Sequence, residues 1–122
     1  MDITISEEQG VTVVTISGRM ATEDAFRLKK KFGELRHGGD RDFILDIHSV
    51  PFVNSYALGI LIHIRTEIRT AGGEMALASP EENISLLFEM VGLKQFMEIY
   101  PSIEEALSYL KNKGVTHEGP ES

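Results

Sequence analysis

The run from residue 43 to residue 64 does most to limit how this chain can fold. Phe43-Ile44-Leu45-Asp46-Ile47 is nearly all apolar and rich in residues that suit a pleated surface, which predicts a buried strand. A polar turn through Asn54 and Ser55 ends it. Residues 56–64 are then apolar on nearly every helical face except at Gly59 and His63, so this half-helix is buried by the fold, by a partner, or by both. Arg65, Thr66, Glu67, Arg69 and Thr70 make the second half amphipathic, and the helix is predicted from Ser55 to about Ala71.

Punctuation on either side extends the pattern. Gly72-Gly73 releases the chain into a short strand, Glu74-Met75-Ala76-Leu77-Ala78. Upstream, Ile3-Thr4-Ile5 and Val11-Thr12-Val13-Val14-Thr15-Ile16 flank a turn at Glu8-Gln9-Gly10 and read as a β-hairpin. Thr22 can cap a helix in which Ala25, Leu28, Phe32 and Leu35 recur at helical spacing, and His37-Gly38-Gly39-Asp40 ends it. Downstream, Ser79-Pro80-Glu81-Glu82 opens a helix with Ile84, Leu87, Phe88 and Val91 on one face, closed by Gly92. Phe96-Met97-Glu98-Ile99-Tyr100 is expected as an edge strand stopped by Pro101, and Ser102 with Glu105 makes a capping box for a last helix on Ile103, Ala106, Leu107 and Leu110.

Strands alternating with helices after residue 40 imply right-handed β-α-β crossovers. The fold class is therefore α/β, a mixed, partly parallel sheet of four or five strands with about four helices. A chain of 122 residues supports one such core. Residues 1–112 form the expected domain, and residues 113–122, with no apolar periodicity and with Gly114, Gly119 and Pro120, a flexible acidic tail.

Composition removes several function classes. The net charge of −7, of which residues 81–122 carry −5 from eight acidic and three basic side chains, opposes nucleic-acid binding. There is no cysteine, no apolar run near the ~18 residues of a membrane span, and no signal segment, which together favour a cytoplasmic protein without membrane insertion. His37, His48, His63 and His117 are scattered, so neither a metal nor another cofactor is expected. His63 is read as a helix-surface or partly buried histidine bonded locally, with no catalytic role. No glycine-rich strand-to-helix loop suited to phosphate is present. Ser55 stands at a strand-to-helix turn, as a hydrolase nucleophile would, but its flanks Val53 and Ala57 are not the glycines of a nucleophile elbow, and a serine there is more often an N-cap.

The run Ile44-Leu45-Asp46-Ile47-His48-Ser49-Val50-Pro51-Phe52-Val53-Asn54-Ser55-Tyr56-Ala57-Leu58-Gly59-Ile60-Leu61 resembles the signature of the sulphate transporter and anti-sigma factor antagonist (STAS) domain. Gly18-Arg19-Met20, Gly72-Gly73 and Val91-Gly92-Leu93 are similar to further family motifs, so the resemblance spans residues 3–111. It implies a bacterial non-enzymatic regulator in transcription and signal transduction. A typical antagonist binds an anti-sigma factor that is also a serine kinase, freeing the sigma factor, and phosphorylation of one serine at the start of the second helix dissolves the complex. A phosphate adds up to about −2 charge at a desolvated interface.

This chain departs from that pattern in linked places. The usual aspartate is Asn54, the usual phosphoacceptor is Tyr56, the following glycine is Ala57, and the aspartate after Gly18-Arg19-Met20 is Ala21. Ser55 matches the preceding motif position and is the alternative acceptor. The resemblance implies Met20, Ala21, Thr22, Asn54, Ser55, Tyr56, Ala57, Leu58 and Ile62 as the partner-contacting set, with no catalytic residue. The expected partner is an anti-sigma factor or kinase-like regulator; a subunit or scaffold of another assembly, such as a lipid-transport ATPase, is the alternative. An exposed edge at Ile3 to Ile5 makes self-association conceivable.

Overall fold

The computed structural model describes the backbone of residues 1–118 and the side chains of residues 1–112. Five strands lie in one sheet in sequence order: β1 (Asp2–Glu8), β2 (Val11–Ser17), β3 (Asp42–Ser49), β4 (Glu74–Ala78) and β5 (Glu98–Tyr100). β1 pairs antiparallel with β2, and β2 through β5 are mutually parallel. The helices are α1 (Thr22–His37), α2 (Ser55–Thr70), α3 (Glu82–Met90) and α4 (Ile103–Glu118), with a short 3-10 turn at Leu93–Gln95. Strand and helix counts both match the mixed α/β sheet expected.

β3 is the centre. Phe43, Leu45 and Ile47 face one apolar layer with Leu28 and Phe32 of α1, Leu61 and Ile64 of α2, and Ile84 and Phe88 of α3. Ile44 faces the other, with Val11, Val13, Ala76, Ala78 and the α4 residues Ala106, Leu107 and Leu110. A strand covered on both faces has no room for alternation, hence the continuous apolar run. Ala76 and Ala78, both fully buried, leave the short side chains over which α4 lies. Phe32 and Phe43 meet edge to face, with centroids 5.1 Å apart.

Local chemistry sets the connections. Gln9 and Gly10 both have positive φ, 54° and 86°, as a two-residue hairpin turn matched to strand twist requires. Gly73 is needed for space: a Cβ there would stand 2.0 Å from the Arg41 carbonyl oxygen. Ser102 Oγ accepts from Glu105 N–H at 3.1 Å, the expected start of α4.

Several boundaries differ from the sequence reading. Thr22 is the first helical residue of α1 rather than its cap, because Ala21 takes the N-cap position and Asp24 accepts from the Ala21 N–H at 3.0 Å. Phe96 and Met97 lie outside β5, since the 3-10 turn uses up the chain between Gly92 and the sheet. Val91, expected on the apolar face of α3, is exposed at that helix's end. The α4 backbone continues past Lys113 to Glu118, because adding residues to a nucleated helix costs far less than starting one. The rest of the expected tail, residues 119–122, lies outside the described residues. Among the described residues no helix is long and apolar enough to cross a membrane.

Candidate functional site

The site is built where two crossovers leave the sheet side by side. Near the end of β2 an irregularity shifts the register between Thr15 and Ser17, and Gly18 N–H donates to Ser49 O at 3.0 Å. The pairing then continues beyond the strands. Met20 N–H donates to Phe52 O at 2.8 Å, Asn54 N–H donates to Met20 O at 3.2 Å, and Met20 and Val53 form an isolated parallel bridge. The first turns of α1 and α2 are thereby held next to each other.

Asn54 ties them with its side chain. Its Oδ1 accepts from Ala57 N–H at 2.8 Å and caps α2, while its Nδ2 donates to Thr22 Oγ1 at 3.1 Å. Both ends of the amide are used. A carboxylate could repeat the cap but could not donate to Thr22, which would have to turn its hydroxyl proton around. Asn54 as N-cap also displaces Ser55 from the capping role, so Ser55 stands exposed at the first helical position.

Above this frame lies an aromatic surface. Tyr56 is 57% exposed, Phe26 49% and Phe52 37%. The rings of Phe26 and Tyr56 are 5.9 Å apart at 55°, and the Arg19 guanidinium sits 4.3 Å from the Phe52 ring centroid. Phe26, Lys29, Ser55, Tyr56, Gly59, Ile60 and His63 line a shallow groove of about 330 Å³ between α1 and α2. Bare Gly59 leaves the floor open. Of the two carboxylates in the first turn of α1, Asp24 is engaged by Ala21 N–H, by Arg27 and by the N-terminal amine. Glu23 of the same turn is exposed, whereas the first turn of α2 carries no acidic side chain.

The structure divides the expected contact set. Asn54, Ser55, Tyr56, Thr22 and Ala21 cluster at the paired helix starts, and Ile62 is half-buried further along α2. Met20, Ala57 and Leu58 do not belong on a contact surface: all three side chains are buried in the core, Met20 because its strand-like bridge turns it inward and the other two because that side of α2 packs on the sheet. The apolar start of α2 is thus mostly covered by the fold itself. Phe26, Arg19, Phe52 and Lys29 were missed. Phe26 did carry a signal, as a large aromatic outside the Ala25, Leu28, Phe32 periodicity of its helix, which places it on the exposed side.

His63 bonds Glu67 one turn on, at 3.3 Å, as a local helix-surface pair. The other carboxylate–histidine pair, Asp46 with His48 Nδ1 at 3.1 Å, is remote from Ser55. Asp46 also accepts from Thr15 at 3.5 Å, and alternation along β3 puts it on the α4 side of the sheet. No proton relay reaches Ser55 from it. Among the described residues no three acidic or histidine side chains are grouped as a metal site.

An open sheet with its crossover helices on one face and a capped, ring-decorated pair of helix starts is the architecture of an anti-sigma factor antagonist-like domain. The chain belongs to the STAS domain family, matched over residues 2–106. It is 28% identical over 104 residues to a protein of Thermotoga maritima described as an anti-sigma factor antagonist, covering 84% of this chain and 92% of that one. With the anti-sigma F factor antagonist of Paenibacillus polymyxa it shares 27% identity, over 91% of this chain and 96% of that one. A crystal structure of a Thermotoga maritima protein described as an anti-sigma factor antagonist superposes with a TM-score of 0.81 at 25% identity, over 89% of this chain and 94% of the other.

Proposed function

We propose that this domain is a protein-binding regulator that docks an anti-sigma factor or kinase-like partner through the paired starts of α1 and α2, and that it does so without a serine phosphorylation switch. The observation that carries this reading is Tyr56, an exposed phenol at the position where relatives of the family place the modified hydroxyl. A partner that covers a phosphoacceptor serine needs space for a small side chain. A partner that covers Tyr56 gains a rigid aromatic anchor beside Phe26, the kind of residue that concentrates binding energy at interfaces.

Neutrality supports the same reading. Asn54 and Ala21 stand where the family has carboxylates, and α2, unlike α1 with its Glu23 and Asp24, has no acidic residue in its first turn, so the start of α2 presents its positive end without a compensating anion. The turn therefore favours an acidic or carbonyl-rich partner surface. A serine kinase selective for a small hydroxyl discriminates strongly against a phenol in its place. The domain works by occupancy and carries no reaction of its own.

Binding to the kinase-like anti-sigma factors of the source organism, with and without Tyr56→Ala, tests the proposal. Binding that weakens by roughly tenfold or more in the variant is the expected result. Absence of binding to any of them, together with an inert Tyr56→Ser, would remove the antagonist reading. Mass spectrometry after incubation with each kinase and ATP tests the second clause; a phosphate adduct on Ser55 or Tyr56 would overturn it. The missing acceptor also favours a second reading, a binding subunit of another assembly such as a lipid-transport ATPase or a signalling scaffold, and transporter rather than sigma-factor genes beside this one would select it.

A further inference from the structure

β1 runs seven residues, and six of them are exposed. It pairs with β2 on one side, and among the described residues no strand pairs with the other. Sheets usually blunt such an edge. β5 does so by being only three residues long and by running into Pro101. β1 has no proline, no lysine and no bulge in its pairing with β2, and its Ile5 is 38% exposed. It is a straight, open ladder of backbone donors and acceptors.

The strand is also complementary to itself. A second copy related by a two-fold axis perpendicular to the sheet adds antiparallel and keeps each side chain on its own face, so only residues of like parity can stand opposite each other. With the axis at Ile5, Asp2 would oppose the second copy's Glu8 and Ile3 its Glu7, a like-charge pair and an apolar mismatch. With the axis at Ile3 the ladder is shorter. With the axis at Thr4, Asp2 opposes Ser6, Ile3 opposes Ile5, and Thr4 opposes Thr4.

That register brings charges together as well. The second copy's Glu7 falls opposite Met1, whose carbonyl oxygen already accepts from Arg27 Nη1 at 3.0 Å. Ile3 packs against the α1 side of the core, so Glu7, of the same parity, points to the side of the sheet on which α1 lies. Arg27, Lys30 and Lys31 of α1 line a groove with Asp2, Ile3 and Glu34 there, a mostly basic wall beside an acidic strand, in which Lys31 also pairs with Glu34 at 3.6 Å. The contact is reciprocal by symmetry.

We infer that the outer edge of β1 is a self-association surface, on which a second copy of this chain pairs its own β1 about Thr4 and joins the two five-stranded sheets into one. The joined area is that of one strand and its flanks, at the small end of protein interfaces, so the dimer is weak and exchanges readily. It lies on the opposite edge of the sheet from β5. This inference concerns a different surface from the paired helix starts, and neither depends on the other.

The chain has no cysteine, which makes the register directly testable. Opposed residues in an antiparallel pair have Cα atoms about 4.5–5.5 Å apart, within disulfide reach. Under mild oxidation Thr4→Cys is expected to cross-link to a dimer at least about tenfold faster than Lys94→Cys, an exposed control in the 3-10 turn near the opposite edge of the sheet. Sedimentation velocity across concentration should show a monomer–dimer equilibrium that Ile5→Lys abolishes, with the circular dichroism of the fold unchanged. Glu7→Arg should weaken dimerisation roughly tenfold, and Glu7→Arg with Arg27→Glu should restore it. A monomer at every concentration, or Thr4→Cys linking no faster than the control, overturns the inference. Dimerisation indifferent to Ile5→Lys does so too.

Discussion

Replacing Asn54 probes the frame on which the proposed recognition surface rests, and the amide makes two separable bonds. In Asn54→Ala the cap on Ala57 N–H, 2.8 Å long, is lost, at about 1 kcal/mol for an N-cap. The bond to Thr22 Oγ1 goes with it, at about 1 kcal/mol more for a part-buried hydrogen bond between side chains. The sum is roughly 2 kcal/mol. Asn54→Asp behaves differently. The carboxylate keeps the cap, gains about 0.3–1 kcal/mol from the helix dipole, and accepts from Thr22 once that hydroxyl reverses, so stability stays within about 0.5 kcal/mol of the parent. Urea unfolding separates the two cases. With a slope of about 1–3 kcal/mol per molar, the alanine variant should lower the midpoint by about 1 M at unchanged slope, and the aspartate variant should leave it nearly in place. An alanine variant as stable as the parent would show that the two helix starts are held by backbone bonds alone. An aspartate variant as damaged as the alanine one would show that the donor to Thr22, and not the cap, carries the stability.

Other outcomes follow from the same geometry. Tyr56→Ala should change unfolding free energy by less than about 0.5 kcal/mol, since the ring is exposed, while reducing partner affinity at least tenfold by isothermal titration. Gly73→Ala should cost roughly 2–4 kcal/mol in the same urea experiment, because the new methyl would meet a backbone carbonyl that cannot swing aside. Tyr100 is pushed up to about 12 by burial, then by the nearby Glu98 carboxylate to which its hydroxyl donates at 3.3 Å. The unfolded chain therefore releases that proton first as pH rises, and Tyr100's contribution to stability, full below pH ~10, declines as pH climbs towards 12. Tyrosinate absorbance should show Tyr100 titrating near 12, and Glu98→Gln should bring it down.

The sheet was legible wherever burial left a pattern. Phe43 to Ile47 read as a buried strand because both of its faces are covered, and Glu74 to Ala78 was bounded correctly by a glycine pair and a proline. The short 3-10 turn after Gly92 was not legible, since three residues of i to i+3 bonding leave no period. Burial of Met20 was hidden for a related reason: it depends on a single bridge to Val53, thirty-odd residues away, that no local pattern records. At the site, the turn itself was evident from Asn54, Ser55 and Tyr56, but its outer wall was not. Phe26 and Lys29 arrive from α1, and only the packing of α1 beside α2 brings them to Tyr56.

The double bond made by the Asn54 amide has a consequence for how this domain can change over generations. Asparagine and aspartate codons differ at one base, as do tyrosine and serine codons. Because the frame accepts a carboxylate at 54 and leaves 56 in open solvent, neither exchange asks the core to repack. A lineage carrying this chain stands two point mutations from an acid and a small hydroxyl at those positions, and each intermediate folds. An acid and a small hydroxyl there would be written on the scaffold without being built into it.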